Sequence, residues 1–316
     1  MILITGSNGF LGSHIVERIK GKPLILLDRG TVNKHPMCPF FQCEINSYHD
    51  YMKALQGCQT IIHCAARVHI MDDNEADPLT LYREVNTTGT VNLAKQAIDS
   101  GVKRFIFISS IKVKWRGYIS RQPIQKQRNN HAPEDDYGLS KSEAEKQLVA
   151  LAKDSGMEVV IIRPTIVYGP GVKANFASLM NLVSKGIPLP FGSITQNKRS
   201  LVSINNLVDL IVTCIDHPKA ANQVFLVSDD HDVSTAEMVR ELAIALDKPT
   251  WQLPVPIWCY KLFGKLFGKS DIVDRLTGSL QVDISHTKET LGWKPPQTLQ
   301  EGFKQTAQAF LQANNR

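Results

Sequence analysis

The 316-residue chain predicts a doubly wound α/β fold, a parallel sheet covered on both faces, joined to a second, smaller mixed α/β domain. Three observations carry this. Short apolar runs alternate with helical patterns through the first half of the chain. A glycine-rich turn follows the first of those runs. After residue 163 the alternation gives way to turn-rich and short helical segments.

The chain opens "MILITGSNGFLGSH". Ile2–Thr5 reads as one buried strand, Gly6, Gly9 and Gly12 follow, and 14–20 continues with helical character. A strand that turns through glycines into a helix brings backbone N–H groups close to a phosphate, with the positive end of the helix dipole facing it. The spacing is G-x-x-G-x-x-G rather than the commoner G-x-G-x-x-G, so the context matters. The next run, "PLILLD", ends in Asp28, where a second strand places a carboxylate near adenosine ribose hydroxyls. Dinucleotide binding is the expectation. The carboxylate favours NAD, and the neighbouring Arg29 leaves NADP open.

Further strand runs are 40–44, 60–64, 104–109 and 158–163, with helical patterns at 79–100 and 136–153. Ligands of such sheets sit at the carboxyl ends of the strands, so Gly6, Asp28, Ala65, Ser109 and Arg163 should converge on one cleft. Beyond Arg163, "PTIVYGPGVKANF" and "GIPLPFG" are rich in turn formers, while 222–227 reads as one more strand rejoining the main sheet. The expected division is a dinucleotide-binding domain of 1–163 with about 200–228, and a substrate domain of 164–199 with about 229–316.

Composition narrows the function classes. Cys38, Cys43, Cys58, Cys64, Cys214 and Cys259 form no C-x-x-C pair, which predicts reduced thiols and a cytoplasmic protein. The nine histidines lack metal-ligand spacing, and no metal is expected. With the first strand beginning at Met1 or Ile2, no signal sequence is expected, and no apolar run approaches a membrane span. The net charge of +6 is matched by six basic residues between Lys112 and Arg128, read as a loop over the cleft. No aromatic-rich RNA module or zinc finger accompanies them, so no nucleic-acid partner is expected. In "IWCYKLFGKLFGK", Trp258, Leu262 and Leu266 recur at spacing four beside Lys261, Lys265 and Lys269. A membrane-surface helix has this pattern, but packing within a small helical domain explains it without lipid, and membrane contact is not expected.

The chemistry lies in "DYGLSKSEAEKQL", which puts Tyr137 and Lys141 on one helix face. The preceding "FISSIKV" ends a strand at Ser109 and Ser110, pointing at the cofactor cleft. A hydroxyl, a phenol and an ammonium beside a nicotinamide form a proton-transfer set for moving hydride to or from an alcohol carbon. A free tyrosine has a pKa near ~10. Lys141 and an oxidised nicotinamide ring favour the phenolate by charge, and lowering the pKa by about three units needs roughly 4 kcal/mol. Tyr137 then takes the hydroxyl proton while Ser110 donates a hydrogen bond to the same oxygen.

These motifs, with "HCAA", "REVNTTGTVNLAKQA", "IRPTIVYGPG", "RSLVSINNLVD" and "LGWKPP", resemble the extended short-chain dehydrogenase/reductase family, a Rossmann-fold group, and within it the nucleotide-sugar epimerases and dehydratases. The resemblance spans nearly the whole chain. It implies Ser110, Tyr137 and Lys141 as the catalytic set, and Gly6, Gly9, Phe10, Leu11 and Gly12 along the cofactor pyrophosphate. Asp28 would meet the adenosine ribose, with Arg29, Glu44, Ile45, Ala65, Ala66 and Ser109 also on the cofactor. Lys141 would reach the nicotinamide ribose, and Pro164 would adjoin the nicotinamide. Arg199 and Arg275 would hold a substrate diphosphate, and Asn175 would touch the substrate. Asn86 is family-typical too, although a structural hydrogen-bonder beneath the cofactor is an equal reading.

Two departures matter. Val113, Lys114 and Trp115 stand where members often have V-Y-G, and Ile111 and Lys112 replace the Asp-Glu pair of the dehydratases, arguing against water elimination. What remains is oxidoreduction at C4 of a UDP-hexose or UDP-N-acetylhexosamine, with a 4-epimerase ahead of a 4-ketoreductase acting on a UDP-4-keto-6-deoxy-N-acetylhexosamine. "ARVHIM", "SSIKV", "GVKANF" and "GSLQVDIS" are similar to bacterial surface-polysaccharide enzymes. A non-catalytic NAD(P)-binding regulator is the third reading, against which the intact Ser-Tyr-Lys set argues. By analogy with the family, the helices at 79–100 and 136–153 could pair two copies as a homodimer.

Overall fold

The computed structural model describes residues 1–68, 77–114 and 135–314. In chain order the first half comprises β1 (Ile2–Thr5), α1 (Phe10–Ile19), β2 (Leu24–Asp28), β3 (Phe40–Gln42), α2 (Met52–Leu55), β4 (Thr60–His63) and α3 (Pro78–Arg83). A π-helical turn, Glu84–Gly89, leads into α4 (Thr90–Asp99), followed by β5 (Arg104–Ile108), a short turn at Ile111–Lys114, α5 (Asp136–Ser155) and β6 (Glu158–Pro164). Next come β7 (Ile166–Tyr168), α6 (Ala174–Ser184), β8 (Arg199–Ser203), α7 (Ile204–Asp216), β9 (Val224–Val227) and β10 (Asp232–Val233). The chain ends in helices α8 (Thr235–Ala245), α9 (Ile257–Leu266), α10 (Ser270–Thr277), α11 (Ser285–Leu291) and α12 (Leu299–Asn314).

Seven strands form one sheet in the order β3-β2-β1-β4-β5-β6-β9, every neighbouring pair parallel. The order reverses between β1 and β4, the point at which such sheets open a ligand crevice. Alternate residues of each strand serve opposite faces. Ile4, Ile62, Ile106 and Val160 meet α1 and α7 through Ile15, Leu207 and Ile211. Leu3, Ile61, Phe105 and Val159 meet α4 and α5 through Leu93, Ala97, Ala144 and Leu148. Because both faces are buried, these strands read as continuous apolar runs.

A second sheet, β10-β8-β7, pairs β7 with β8 in parallel and β8 with β10 antiparallel. Its core joins Tyr168, Leu201 and Val233 to Phe176, Met238 and Phe303 of the surrounding helices. The chain crosses back to the large sheet at Ser203, whose hydroxyl caps α7 by accepting from the Asn206 N–H at 3.1 Å. Asp229 secures this crossing. It accepts from the Ser203 N–H at 2.8 Å, from Asn206 Nδ2 at 2.7 Å and from the Tyr168 hydroxyl at 2.7 Å. The far end of α7 is held by Arg104, whose guanidinium donates to the carbonyls of Cys214, Ile215 and His217 and pairs with Glu158.

Two sequence expectations change. The helix read as continuous from 79 to 100 contains the π-helical turn, which buries Asn86 and Thr87; Thr87 Oγ1 donates to the Ser140 carbonyl of α5 at 2.8 Å. The stripe on α9 is not packed away: Trp258, Leu262 and Leu266 are 66%, 49% and 68% exposed. Among the described residues, no helix is long and apolar enough to cross a membrane.

Candidate active site

The carboxyl ends of β1 and β4 meet the start of α1. Gly6 takes φ +67°, and a Cβ there would lie 2.9 Å from the Ala65 backbone, so only glycine turns the chain this close to β4. The Gly9 N–H closes the turn on the Gly6 carbonyl at 3.0 Å. α1 then begins at Phe10 with no side-chain cap, which leaves the N–H groups of Phe10, Leu11 and Gly12 for an anion. Within the same turn, Ser7 Oγ and Asn8 Oδ1 are buried with no hydrogen-bond partner among the described residues.

At the end of β2, Asp28 accepts from the Asn8 N–H at 3.0 Å and the Gly30 N–H at 2.9 Å, tying the glycine turn to the next loop. Arg29 and Glu44 are exposed beside it, Ile45 is buried, and the Ala65 N–H donates to Thr5 Oγ1 at 3.2 Å. Sequence reasoning missed His63, which is fully buried between the hydroxyls of Thr5 (2.7 Å) and Thr90 (2.9 Å). Burial first, and the Lys141 charge second, pull its pKa down to about 3, so the imidazole is neutral at pH 7. Its partners lie 58 and 27 residues away, a relationship with no local signature.

β5 delivers Ser109 and Ser110 to the same edge. The Ser109 N–H is held by the Ile162 carbonyl at 2.8 Å while its hydroxyl is buried without a partner among the described residues. Ser110 Oγ accepts from the Lys112 N–H at 3.2 Å. Opposite stands the first turn of α5, capped by Asp135, which accepts from the Gly138 N–H at 2.7 Å and pairs with Lys112 at 2.6 Å. The helix presses so closely on this turn that a Cβ at Gly138 would lie 2.7 Å from the Lys112 carbonyl oxygen.

Tyr137 meets Tyr82 edge-on with centroids 6.2 Å apart, and the Lys112 ammonium lies 5.8 Å from the Tyr137 ring centre. Lys141, one turn later, is 1% exposed, donates to the Ile108 carbonyl at 2.9 Å and sits 4.4 Å over the Phe107 ring. Burial lowers its pKa to about 8 against the opposing pull of Cys64 and Glu145. Burial pushes the Tyr137 phenol above its ordinary range, and Asp135 and Tyr82 push the same way. The lowered phenol expected from Lys141 is therefore not the state of the protein alone, because the ammonium is engaged by Ile108 and burial dominates.

The other expected residues divide. Pro164 is buried at the end of β6 beside Val227. Arg163 pairs with Glu145 of α5, one turn beyond Lys141. Asn86 bridges the Arg67 backbone, through both its N–H and carbonyl, to Ser140 Oγ, as a structural hydrogen-bonder would. Arg199 opens β8 with Nε buried and without a partner among the described residues, and burial lowers its guanidinium pKa. Arg275 is exposed on α10. Asn175 lies in α6, but its side chain falls outside the described residues, as does the basic stretch beyond Lys114. No group of three or more histidine, cysteine or carboxylate residues is placed to hold a metal among the described residues.

An open parallel sheet with an uncapped glycine turn at its switch point is the architecture of a dinucleotide-binding protein. Residues 2–228 match the NAD dependent epimerase/dehydratase family, and the chain belongs to that family. It is 79% identical over 318 residues to a UDP-glucose 4-epimerase of Vibrio cholerae, covering 100% of this chain and 97% of that one. It is also similar to N-acetyl-alpha-D-glucosaminyl-diphospho-ditrans,octacis-undecaprenol 4-epimerase of Escherichia coli O157:H7, at 27% identity with 97% and 94% coverage. In fold it matches the UDP-glucose 4-epimerase of Thermotoga maritima, crystallised with UDP-glucose, with TM-score 0.75, 22% identity and 99% of each chain covered.

Proposed function

We propose that the protein is an NAD-holding UDP-sugar 4-epimerase that interconverts the C4 epimers of a UDP-hexose or its N-acetyl form. The full-length 79% identity to a UDP-glucose 4-epimerase carries this reading and makes UDP-glucose the first substrate to test. The buried, unpartnered hydroxyls of Ser7 and Ser109 and the uncapped start of α1 fit a bound dinucleotide. Gly6, Gly9, Phe10, Leu11 and Gly12 would hold its pyrophosphate and Asp28 its adenosine ribose, with Arg29, Glu44, Ile45, Ala65, Ala66 and Pro164 along its length. Bound NAD supplies the acceptor, and then the donor, of the hydride at the sugar C4.

The chain's own residues handle the proton. Tyr137 accepts it from the 4-hydroxyl and later returns it, while Ser110 Oγ donates to the same oxygen. Burial alone favours the neutral phenol, so the positive charges of Lys141 and Lys112 must outweigh it. Arg199 meets the diphosphate of the substrate, where its unpartnered Nε gains an acceptor. This reading takes in a cytoplasmic homodimer paired through α4 and α5, whose Lys95, Lys146 and Val149 are exposed. Light scattering giving a monomer mass would remove the dimer from it.

The deciding experiment incubates the purified protein with UDP-glucose, UDP-N-acetylglucosamine or a UDP-4-keto-6-deoxy sugar, each with and without NADPH. The expected result is epimerisation without added reductant. Stoichiometric NADPH oxidation with the keto sugar, and no change in the other two, would make the protein a 4-ketoreductase instead.

A further inference from the structure

Helices α9 and α10 form a hairpin at the surface. Its inner contact is Gly264 against Val273, where a Cβ on the glycine would come within 2.8 Å of the valine Cγ2. Among the described residues, nothing covers the outer face of α9. Trp258, Leu262, Phe263, Leu266 and the adjoining Phe267 are between 49% and 70% exposed, and the rings of Phe263 and Phe267 stack at 6.4 Å. On a helix advancing about 100° per residue, Trp258, Leu262, Leu266 and Phe263 span roughly 140°, centred opposite Gly264. An amphipathic helix of a packed domain turns its apolar stripe inward; this one turns it to solvent.

The charges along the stripe select what could cover it. Lys261 and Lys265 line one flank and Lys269 follows, all exposed, and 257–269 contains no carboxylate. A second copy docked by the same face would bring two sets of ammonium groups together with no acid in either segment to answer them. A bilayer containing anionic lipid meets both features. Aromatic and leucine side chains enter at headgroup level while lysine stems reach sideways to phosphates. We propose that the α9–α10 hairpin docks this protein on an anionic membrane surface through its Trp258–Phe267 face. The contact is peripheral and does not depend on the reaction assigned to the cleft.

Co-sedimentation of the full chain with vesicles tests this. One set contains phosphatidylethanolamine with phosphatidylglycerol, the other phosphatidylcholine alone. We expect partitioning on the order of tenfold to hundredfold stronger on the anionic vesicles, lost in high salt. Leu262→Glu with Leu266→Glu should abolish binding while epimerisation and the unfolding temperature stay unchanged. Lys261→Gln with Lys265→Gln and Lys269→Gln should erase the preference for anionic lipid. Wild-type protein that ignores both vesicle types, or a leucine variant that binds as well as wild type, overturns the proposal. So does a wild-type dimer that the leucine variant splits, with no vesicle binding by either, since the face then belongs to a second copy.

Discussion

The Lys112 ammonium meets the Asp135 carboxylate at 2.6 Å while lying 5.8 Å from the centre of the Tyr137 ring. The same residue donates its N–H to Ser110 Oγ and sets its carbonyl against Gly138. One side chain and its own backbone thus touch both sides of the candidate proton-transfer set. A cation here favours the phenolate, and removing it also leaves Asp135 unpaired, which favours the phenol. Lys112→Met should therefore move the acidic limb of the kcat/KM profile to higher pH and lower the rate at pH 7 by about three- to tenfold. Lys112→Arg should restore most of the loss. A profile that keeps its acidic limb in the methionine variant would remove Lys112 from the chemistry.

Tyr137→Phe keeps the ring that packs against Tyr82 and deletes only the route for the proton. We expect kcat to fall by about 100-fold or more with NAD affinity nearly unchanged. Retention of more than about a tenth of wild-type kcat would make a general-base role untenable.

Lys141 tests the price of its own burial. Its pKa is about 8 in the folded protein against an ordinary 10.5. Between those values the unfolded chain binds a proton that the folded chain does not. Its contribution to stability therefore improves as pH rises from about 8 to 10.5, and is most unfavourable below 8, by about 3 kcal/mol. Without cofactor, Lys141→Met should melt several degrees above wild type at pH 7, with the gap closing toward pH 10.5, while turnover is lost. A gap that stays constant across that range would show that burial of the charge is not its source.

Arg199→Lys removes the planar fork that binds a diphosphate through parallel hydrogen bonds. Titration calorimetry should show UDP binding weakened by about tenfold and NAD binding unaltered. Equal UDP affinity would shift the diphosphate toward Arg275.

Legibility in the sequence followed the range of the interactions. The turn from β1 into α1 is local, as is the four-residue interval from Tyr137 to Lys141, and both are plain in the sequence. The cradle of His63 by Thr5 and Thr90, and the hold of Asp229 on Ser203, Asn206 and Tyr168, join residues that only the folded sheets bring together. Arg163 stands at a strand end, as the sequence predicts, and the two-residue alternation of β6 points its side chain to Glu145 of α5, a partner 18 residues away that no local pattern marks. The α9 pattern announces an apolar stripe and is silent about which side is covered, because an inward and an outward stripe share one periodicity.

The late arrival of β9 has a consequence for biosynthesis. β6 lies between β5 and β9, so when residue 164 leaves the ribosome one edge of β6 is unpaired and stays so until Val224–Val227 emerges. Through the same interval Arg104 lacks the carbonyls of Cys214, Ile215 and His217, and α1 lacks the apolar face of α7. Translation at about 5–20 residues per second makes this a vulnerable period of several seconds. A nascent chain stalled within it presents an apolar strand edge for chaperones to shield, and a fragment ending at residue 163 would aggregate rather than fold as a free-standing nucleotide-binding half.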